Sequence, residues 1–555
     1  MRDLQQTGRR YFLTPVCLVP NGRAHLGHVA GPLLKMDVYR RHLVRAGADV
    51  RMISMSDVHE AHVLIKAYQE GSTPEDVANR FHDGIVGDLK ALDIAYDDLL
   101  NPLDPEWADT YDRINREFLD GIIRAGNARV KSEQLPMLAE ATDVNAKGVS
   151  LRPQVGDPVV SGWLKGRCPL CGEGLVGFFC EACGGHFAPG QMLEPSTAHF
   201  SGKLRFEERS SLWLDLKGGA AEIVAYLKRI NVRADFLEIT ECYLRTNGAS
   251  IRLEVPSPWG LHLDVPGTSP GQVIFSYSSL LIGCHLVAGE RYKQITGSDV
   301  NPFAVDSGVT CVLAFGIDNT VPFLVGAVGC ALGQEEYKPV DHFLVNYFYD
   351  LDGGKFSTSR GHVIWGGDIV TLGGANVDLV RAYLCWRNPE FERAMFSVDE
   401  FVRFHNDSAS RLLAATTAAG RAATSARSYD DGIMRYLGAE MLTQSTALDP
   451  ATFDIAAAYS CVDRWIHRAS AFSLTPEAAR TWLMGFAVLG YPIMSRAAQE
   501  AWTWLGLSGQ PSLAGIEDAA GVSPAHGQNV PVSSIPELTW ANLNASLPVA
   551  LRRSA

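Results

Sequence analysis

The sequence predicts an α/β protein: a doubly wound parallel sheet, split by a small inserted unit and followed by a helical bundle. Three observations predict it. An apolar, β-branched and aromatic run at 11–19 is followed by apolar residues at helical spacing and then by ADVRMISMSD (48–57), a strand, helix, strand succession. Four cysteines cluster at 168–183 in a stretch rich in Gly and Pro. Beyond residue 396 the chain is rich in Ala, Leu and Arg with amphipathic spacing, as a helical bundle requires.

At 555 residues the chain exceeds a single core, and 46% hydrophobic with 20% charged residues belongs to a folded globular protein. No apolar run approaches the ~18 residues of a membrane span, and residues 1–20 lack a secretory hydrophobic region. A cytoplasmic location with no membrane partner is expected. The net charge of −13 offers no general attraction to phosphate backbones, so nucleic-acid contact would need a local basic patch.

The first unit, 1–124, holds the strand at 11–19, a helix carrying Val29, Leu33, Leu34, Met36 and Leu43, and the strand at 48–57. A Ser-Thr-Pro-Glu start at 72–75 then opens a helical stretch reaching 124. Ligands of such sheets bind beyond the carboxyl ends of the strands, where PNGRAHLGH (20–28) and Asp57 fall. The insertion occupies 125–265. The sheet is expected to resume within 266–350, through QVIFSYSSLLIGC (272–284) and VTCVLAFGI (309–317). A lysine-bearing turn and its surroundings fill 351–395. The bundle, with a Pro-, Gly- and Ser-rich extension that wraps back on the body, fills 396–555.

CPLC and CEAC place Cys168, Cys171, Cys180 and Cys183 as two Cys-x-x-Cys knuckles able to share one ion. Four thiolates leave no open position for water, which favours a structural Zn2+ over a catalytic metal; redox use would need only one pair. The other seven cysteines are scattered singly, as in a reducing compartment.

In HLGH, a helix start offers free amides to phosphate. Gly27 lets a base or sugar lie against the backbone, and His25 and His28 can donate to phosphate oxygens. Two histidines near a helix start are by themselves more often packing residues. GGKFSTSRG (353–361) changes that balance, because a glycine pair, Lys355, the hydroxyls of Ser357 and Thr358, and Arg360 form a loop that could close over a triphosphate.

HLGH and KFSTS, more than 300 residues apart and flanking a split sheet, resemble the HIGH and KMSKS signatures of class I aminoacyl-tRNA synthetases. The four-cysteine insert, SDVHEA (56–61) and the helical C-terminal region narrow the resemblance to the methionyl group, over residues 11 to about 412. It implies a Rossmann-type fold and an ATP-dependent ligase forming an aminoacyl adenylate, with Mg2+, an amino acid and tRNA as further ligands. His25, His28 and Lys355 would be catalytic. Gly27, Ser357 and Thr358 would join them around ATP, as would Gly297 and Asp299, since TGSDVNPF (296–303) is similar to the family's Gly-Lys-Asp element. Asp57 would hold the substrate ammonium.

The amino-acid pocket implied by the resemblance is Cys17, Val19, Asp57, Tyr277, Leu280, Leu281, Cys284 and Ala304, and it departs from the family. Tyr277 replaces a tryptophan, Leu280 and Leu281 an Ala-Pro pair, Cys284 and Val19 two tyrosines, and Ala304 a histidine. A wall rebuilt around an unchanged Asp57, His25 and His28 implies a side chain other than methionine's, smaller or branched and apolar. Thr358 stands where the family has its second loop lysine, a change that raises the barrier by about 3 kcal/mol and that Arg360 could partly offset. Residues 396–555 hold eleven Arg and no Lys against fourteen Asp and Glu, and 464–475 has no Pro-Trp pair, so anticodon reading is unsupported. Two alternatives stand beside the tRNA ligase: a tRNA-independent amino-acid ligase of specialised metabolism using the same adenylate, and a catalytically weakened binding or regulatory paralogue.

Overall fold

The computed structural model describes residues 4–141, 149–177, 179–180, 182–183, 185–357, 361–426, 428–472, 475–518 and 531–553. Five strands form the central sheet: β1 (Arg10–Pro15), β2 (Asp49–Met55), β3 (Asp98–Leu100), β4 (Thr310–Gly316) and β5 (His342–Asn346). Their order is β5-β4-β1-β2-β3, and every neighbouring pair is parallel. A parallel sheet is covered on both faces and needs apolar side chains on both, which Phe12 and Leu13 of β1 and 312–315 of β4 supply. The chain leaves β1 for β2 and β3 and returns on the other side as β4. The topological switch point therefore lies between β1 and β4, where such sheets open a crevice at their carboxyl edge.

After β1 a short helix, α1 (Leu26–His28), passes through a kink at Gly31 and Pro32 into α2 (Leu34–Arg45). Proline inside the run removes one backbone donor, which bends the helix there. Helix α3 (Ala61–Glu70) follows β2 and is capped by the Glu60 carboxylate.

The insertion is built on a long antiparallel ribbon, Ala128–Ala141 with Gly202–Leu214. Between these strands in sequence lies a three-stranded sheet that carries the cysteines. Two expectations need correction here. Only Gln272–Ile274 of the run 272–284 is a strand, in a small antiparallel sheet with Glu254–Pro256 and His262–Leu263, and the rest turns into helix α4 (Leu281–Thr296). A segment buried on all sides shows no alternation that would distinguish strand from helix. Strand β3, short and opened by Asp97 and Asp98, interrupts the stretch expected to be helical to 124.

The bundle comprises α5 (Val398–Ala423) and helices Asp431–Ala447, Ile455–His467, Pro476–Gly490 and Ser495–Trp504. Ser397, Asp430, Asp454 and Thr475 each accept a hydrogen bond from the first turn of the helix they precede. One apolar cluster runs from Tyr11 on the sheet and Leu34 on α2 to Trp465 and Trp482 in the bundle. Arg381, fully buried, reinforces the junction by donating to Asp37 on α2 (2.7 Å) and to the carbonyl of Ile493 (2.8 Å). Residues 531–553 lie along α5: Asn406 donates to the Leu538 carbonyl, and Trp540 and Arg553 both reach Asp399. Among the described residues no helix is long and apolar enough to cross a membrane.

Candidate active site

His25 caps α1 from extended backbone, and its Nδ1 accepts from the N–H groups of Gly27 (3.1 Å) and His28 (3.3 Å). The Nδ1 of His28 accepts in turn from the N–H of His25 (3.4 Å). With both Nδ1 atoms acting as acceptors, each neutral ring carries its proton on Nε2. The rings stack with centroids 3.7 Å apart. Burial, then the His28 imidazole and the Lys355 ammonium, push His25 well below the usual imidazole range, and burial lowers His28 to about 4. At neutral pH the pair is therefore two adjoining neutral N–H donors.

The lysine turn lies against them. Phe356 stacks on His25 at 4.9 Å with ring planes 4° apart. The two segments meet because the chain after the turn hydrogen-bonds to the backbone of the first motif: the N–H of Leu26 donates to the Ile364 carbonyl (3.0 Å) and that of Gly366 to the Ala24 carbonyl (2.7 Å). Arg23 fixes the same junction by donating to Asp88 and Asp368. Gly27 leaves the room this needs, since a Cβ there would lie 2.9 Å from the His25 ring and 3.2 Å from Phe356. The Lys355 ammonium lies over Phe348 at 5.7 Å. Ser357 is held through its backbone to His362, while Thr358 and Arg360 lie outside the described residues.

Asp57 lies just past β2, its N–H donating to the Leu18 carbonyl (2.9 Å). Its Oδ2 accepts from the Ser276 hydroxyl, and its Oδ1 is buried without a hydrogen-bond partner. Burial raises the carboxyl to about 7, against the lowering effect of Ser276 and with a contribution from Glu60. A buried carboxylate with one oxygen unsatisfied is a receptor for a cation. Tyr277 has its hydroxyl held protonated by burial and by the nearby charges of Glu60, Asp57 and Asp318.

The remaining expected pocket residues separate. Cys17, Leu280, Leu281 and Cys284 pack into one cluster, each at most 5% exposed, and the Cys284 thiol is pushed up by its hydrogen bond with Cys17 and by burial. Val19 packs instead on Val58 and Val63. A cavity of about 320 Å³ opens beside them, roofed by the insertion; of the eight expected residues only Tyr277 lines it.

Three expected residues are corrected outright. Gly297 caps α4 with φ 70°, and Asp299 and Ala304 follow in the loop that leads to the start of β4, near Ser307, whose carbonyl accepts from Arg10 at the start of β1. They sit at the amino edge of the sheet. His25 lies beyond the opposite edge, about 20 Å away along a six-residue strand. The Gly-x-Asp that does reach the switch point is Gly316, Ile317 and Asp318, at the end of β4. A Cβ on Gly316 would meet Asp318 Oδ1 at 2.6 Å, so glycine lets this carboxylate fold over the strand end. Five residues on from Asp318 stands Phe323, fully buried and stacked on Phe315 at 4.7 Å, in the place assigned by count to Ala304. The missed signal was the Gly-x-Asp closing the apolar run VTCVLAFGID. Phe356 and Ser276 were missed as well, and neither residue type announces a site.

The four cysteine sulfurs lie within 4.8 Å of one another. Cys168 and Cys183 are 3.8 Å apart and Cys171 and Cys180 3.5 Å. A tetrahedral thiolate site with bonds near 2.3 Å has sulfurs about 3.8 Å apart, so the residues fit a metal ion.

A doubly wound sheet with paired imidazoles at its switch point and a lysine turn stacked on them defines an α/β protein of the Rossmann-like class. The family model described as tRNA synthetases class I (M) matches residues 11–416, and the chain belongs to that family. It is 28% identical over 408 residues to a methionine–tRNA ligase of Bifidobacterium animalis subsp. lactis, covering 70% of this chain and 62% of that enzyme. A methionine–tRNA ligase of Dehalococcoides mccartyi is 28% identical over 418 residues, covering 72% and 68%. Among solved structures, Mycobacterium tuberculosis methionyl-tRNA synthetase bound by methionyl-adenylate superposes with a TM-score of 0.66 at 16% identity, over 96% of this chain and 99% of that one.

Proposed function

We propose that this protein activates an amino acid other than methionine with ATP, forming an aminoacyl adenylate and pyrophosphate, and transfers the aminoacyl group to a tRNA. The observation that carries it is the stacked His25–His28 pair, each ring presenting an Nε2–H donor, with the Lys355–Phe356 turn packed on it. A carboxylate oxygen of the amino acid attacks the α-phosphorus as the bond to the β-phosphate bridging oxygen breaks. The paired donors stabilise the charge that gathers on the α-phosphate oxygens, and Lys355 neutralises the departing pyrophosphate. Asp57 holds the substrate ammonium, which restores its carboxylate to the charged form. Gly316 and Asp318, at the β4 end, are the candidates for the ribose. Mg2+ bound with ATP would supply further charge neutralisation, and Zn2+ is the ion that the four thiolates suit best. All eleven cysteines are free, which supports a cytoplasmic location.

The test is ATP–pyrophosphate exchange on folded, zinc-loaded protein with each coded amino acid and a set of noncoded ones. Exchange with one amino acid in preference to methionine is the expected result, and no exchange with any removes the enzyme.

One observation favours a second acceptor. Trp465 and Trp482 donate reciprocally to each other's carbonyls inside the bundle (3.0 and 2.9 Å), residues 531–553 cover part of α5, and acidic residues outnumber arginines over 396–555, so neither buried tryptophan can stack on an anticodon base and the net charge of the region does not attract phosphate. In that reading the adenylate is delivered to a small-molecule nucleophile. Filter binding of bulk tRNA at low and moderate salt separates the two, because tRNA binding weakens steeply as salt rises.

A further inference from the structure

The wall expected to receive the amino-acid side chain is closed. Leu280, Leu281, Cys284, Cys17 and Phe323 fill that space and leave almost no exposed surface. Open volume lies on the other side of Ser276 and Tyr277, in the cavity of about 320 Å³ between the insertion and the sheet. Ser276 joins the two places: its hydroxyl donates to Asp57 Oδ2, and the residue also lines the cavity.

From this geometry we infer that the substrate's side chain enters this cavity, and that the substrate is a bulky, ring-bearing amino acid. The inference rests on the adenylation reading of Asp57 but reverses the expectation of a small side chain. At about 320 Å³ the cavity has room for an indole or phenol side chain. Part of its wall is aromatic, Trp163, Trp259, Phe275 and Tyr277, while Arg152 and Asp157 add charge elsewhere on the lining. His59 meets Trp259 edge to face at 5.1 Å, Trp259 Nε1 donates to the Val58 carbonyl (2.7 Å), and His59 Nδ1 lies 3.3 Å from the Tyr111 hydroxyl. Trp163 closes the roof, braced edge to face on Tyr68 at 5.5 Å. Rings held edge-on around a void favour another ring, because aromatic pairs prefer edge-to-face or offset contact. Glu60, a buried lining residue, accepts from the N–H (2.6 Å) and Nδ1 (2.7 Å) of His62, so it adds polarity to the wall without an unpaired charge.

Calorimetric titration with L-phenylalanine, L-tyrosine, L-tryptophan, L-methionine, L-valine and adenosine tests this, run beside pyrophosphate exchange with the same amino acids. Ala61, a small residue lining the cavity, is changed by Ala61→Trp to fill it, and Trp259→Ala removes a wall; ATP affinity and melting behaviour report that each variant is folded. The expected result is that one aromatic amino acid binds at least ~10-fold tighter than methionine or valine, and that both variants weaken it ~10-fold or more while ATP affinity moves less than ~2-fold. Preference for a small or thioether side chain, undisturbed by Ala61→Trp, overturns the inference and leaves adenylation standing. So does adenosine, rather than any amino acid, losing affinity in the filled variant. Aromatic binding lost in both variants but without exchange upholds the cavity and rejects adenylation; no amino-acid binding overturns both.

Discussion

At Asp57 binding and stability pull in opposite directions. The native carboxyl titrates at about 7 because it is buried, whereas an unfolded aspartate titrates near 4. Between those values the native state holds the extra proton. The stability this group contributes is therefore complete below pH 4 and is lost as pH rises through 7. Asp57→Asn is expected to raise the melting temperature by a few degrees at pH 8, to change it little at pH 5, and to lower kcat/KM for the amino acid by about 100-fold or more. In the unaltered protein kcat/KM should fall about tenfold per pH unit below 7, as the receptor carboxylate is neutralised. His25→Ala should lower the exchange kcat by about 100-fold with little change in ATP affinity, because its donor acts on charge that develops in the transition state. The histidines and Asp57 were legible in sequence because they are hydrogen-bonding or ionisable types just past strand ends. Ser276 was not, since a serine among serines gives no sign that its hydroxyl will meet a carboxylate 219 residues away.

The elements around the site work by contact. Phe356 is buried between His25 and Tyr349 and carries the lysine turn onto the histidine pair. Phe356→Ala should cost about 3 kcal/mol of packing and raise the KM for ATP, measured in exchange assays at saturating amino acid. In the insertion, Cys171→Ser should leave the protein with less than one zinc per chain by elemental analysis and lower the unfolding temperature, because a closed thiolate site contributes folding energy. Element types were legible where one period dominated, as in β1, β2 and α5. They were not where burial was uniform, since 272–284 has no alternation that separates strand from helix. Once 281–296 is a helix, TGSD must fall at the wrong edge of the sheet.

Over the whole molecule, sheet and bundle behave as one body because they share a core and a buried ion network. Asp37 accepts from Arg41 (2.8 Å) and Arg381 (2.7 Å) with no exposed surface of its own. Asp37→Ala would leave the buried Arg381 with backbone carbonyls as its remaining partners and Arg41 with Asp93, and should cost roughly 3 kcal/mol, seen as a lower denaturation midpoint for the entire chain. The order of units along the chain follows from composition, but a shared core could not be read from it, since an apolar helix face does not say what it packs against. The central claim is that nucleoside triphosphate is gripped between the imidazole pair and the lysine turn. Diffraction from crystals soaked in ATP tests it most directly: the account predicts an α-phosphate oxygen about 3 Å from Nε2 of His25 or His28 with the outer phosphates beside Lys355, and ATP bound elsewhere, with both imidazoles untouched, would contradict it.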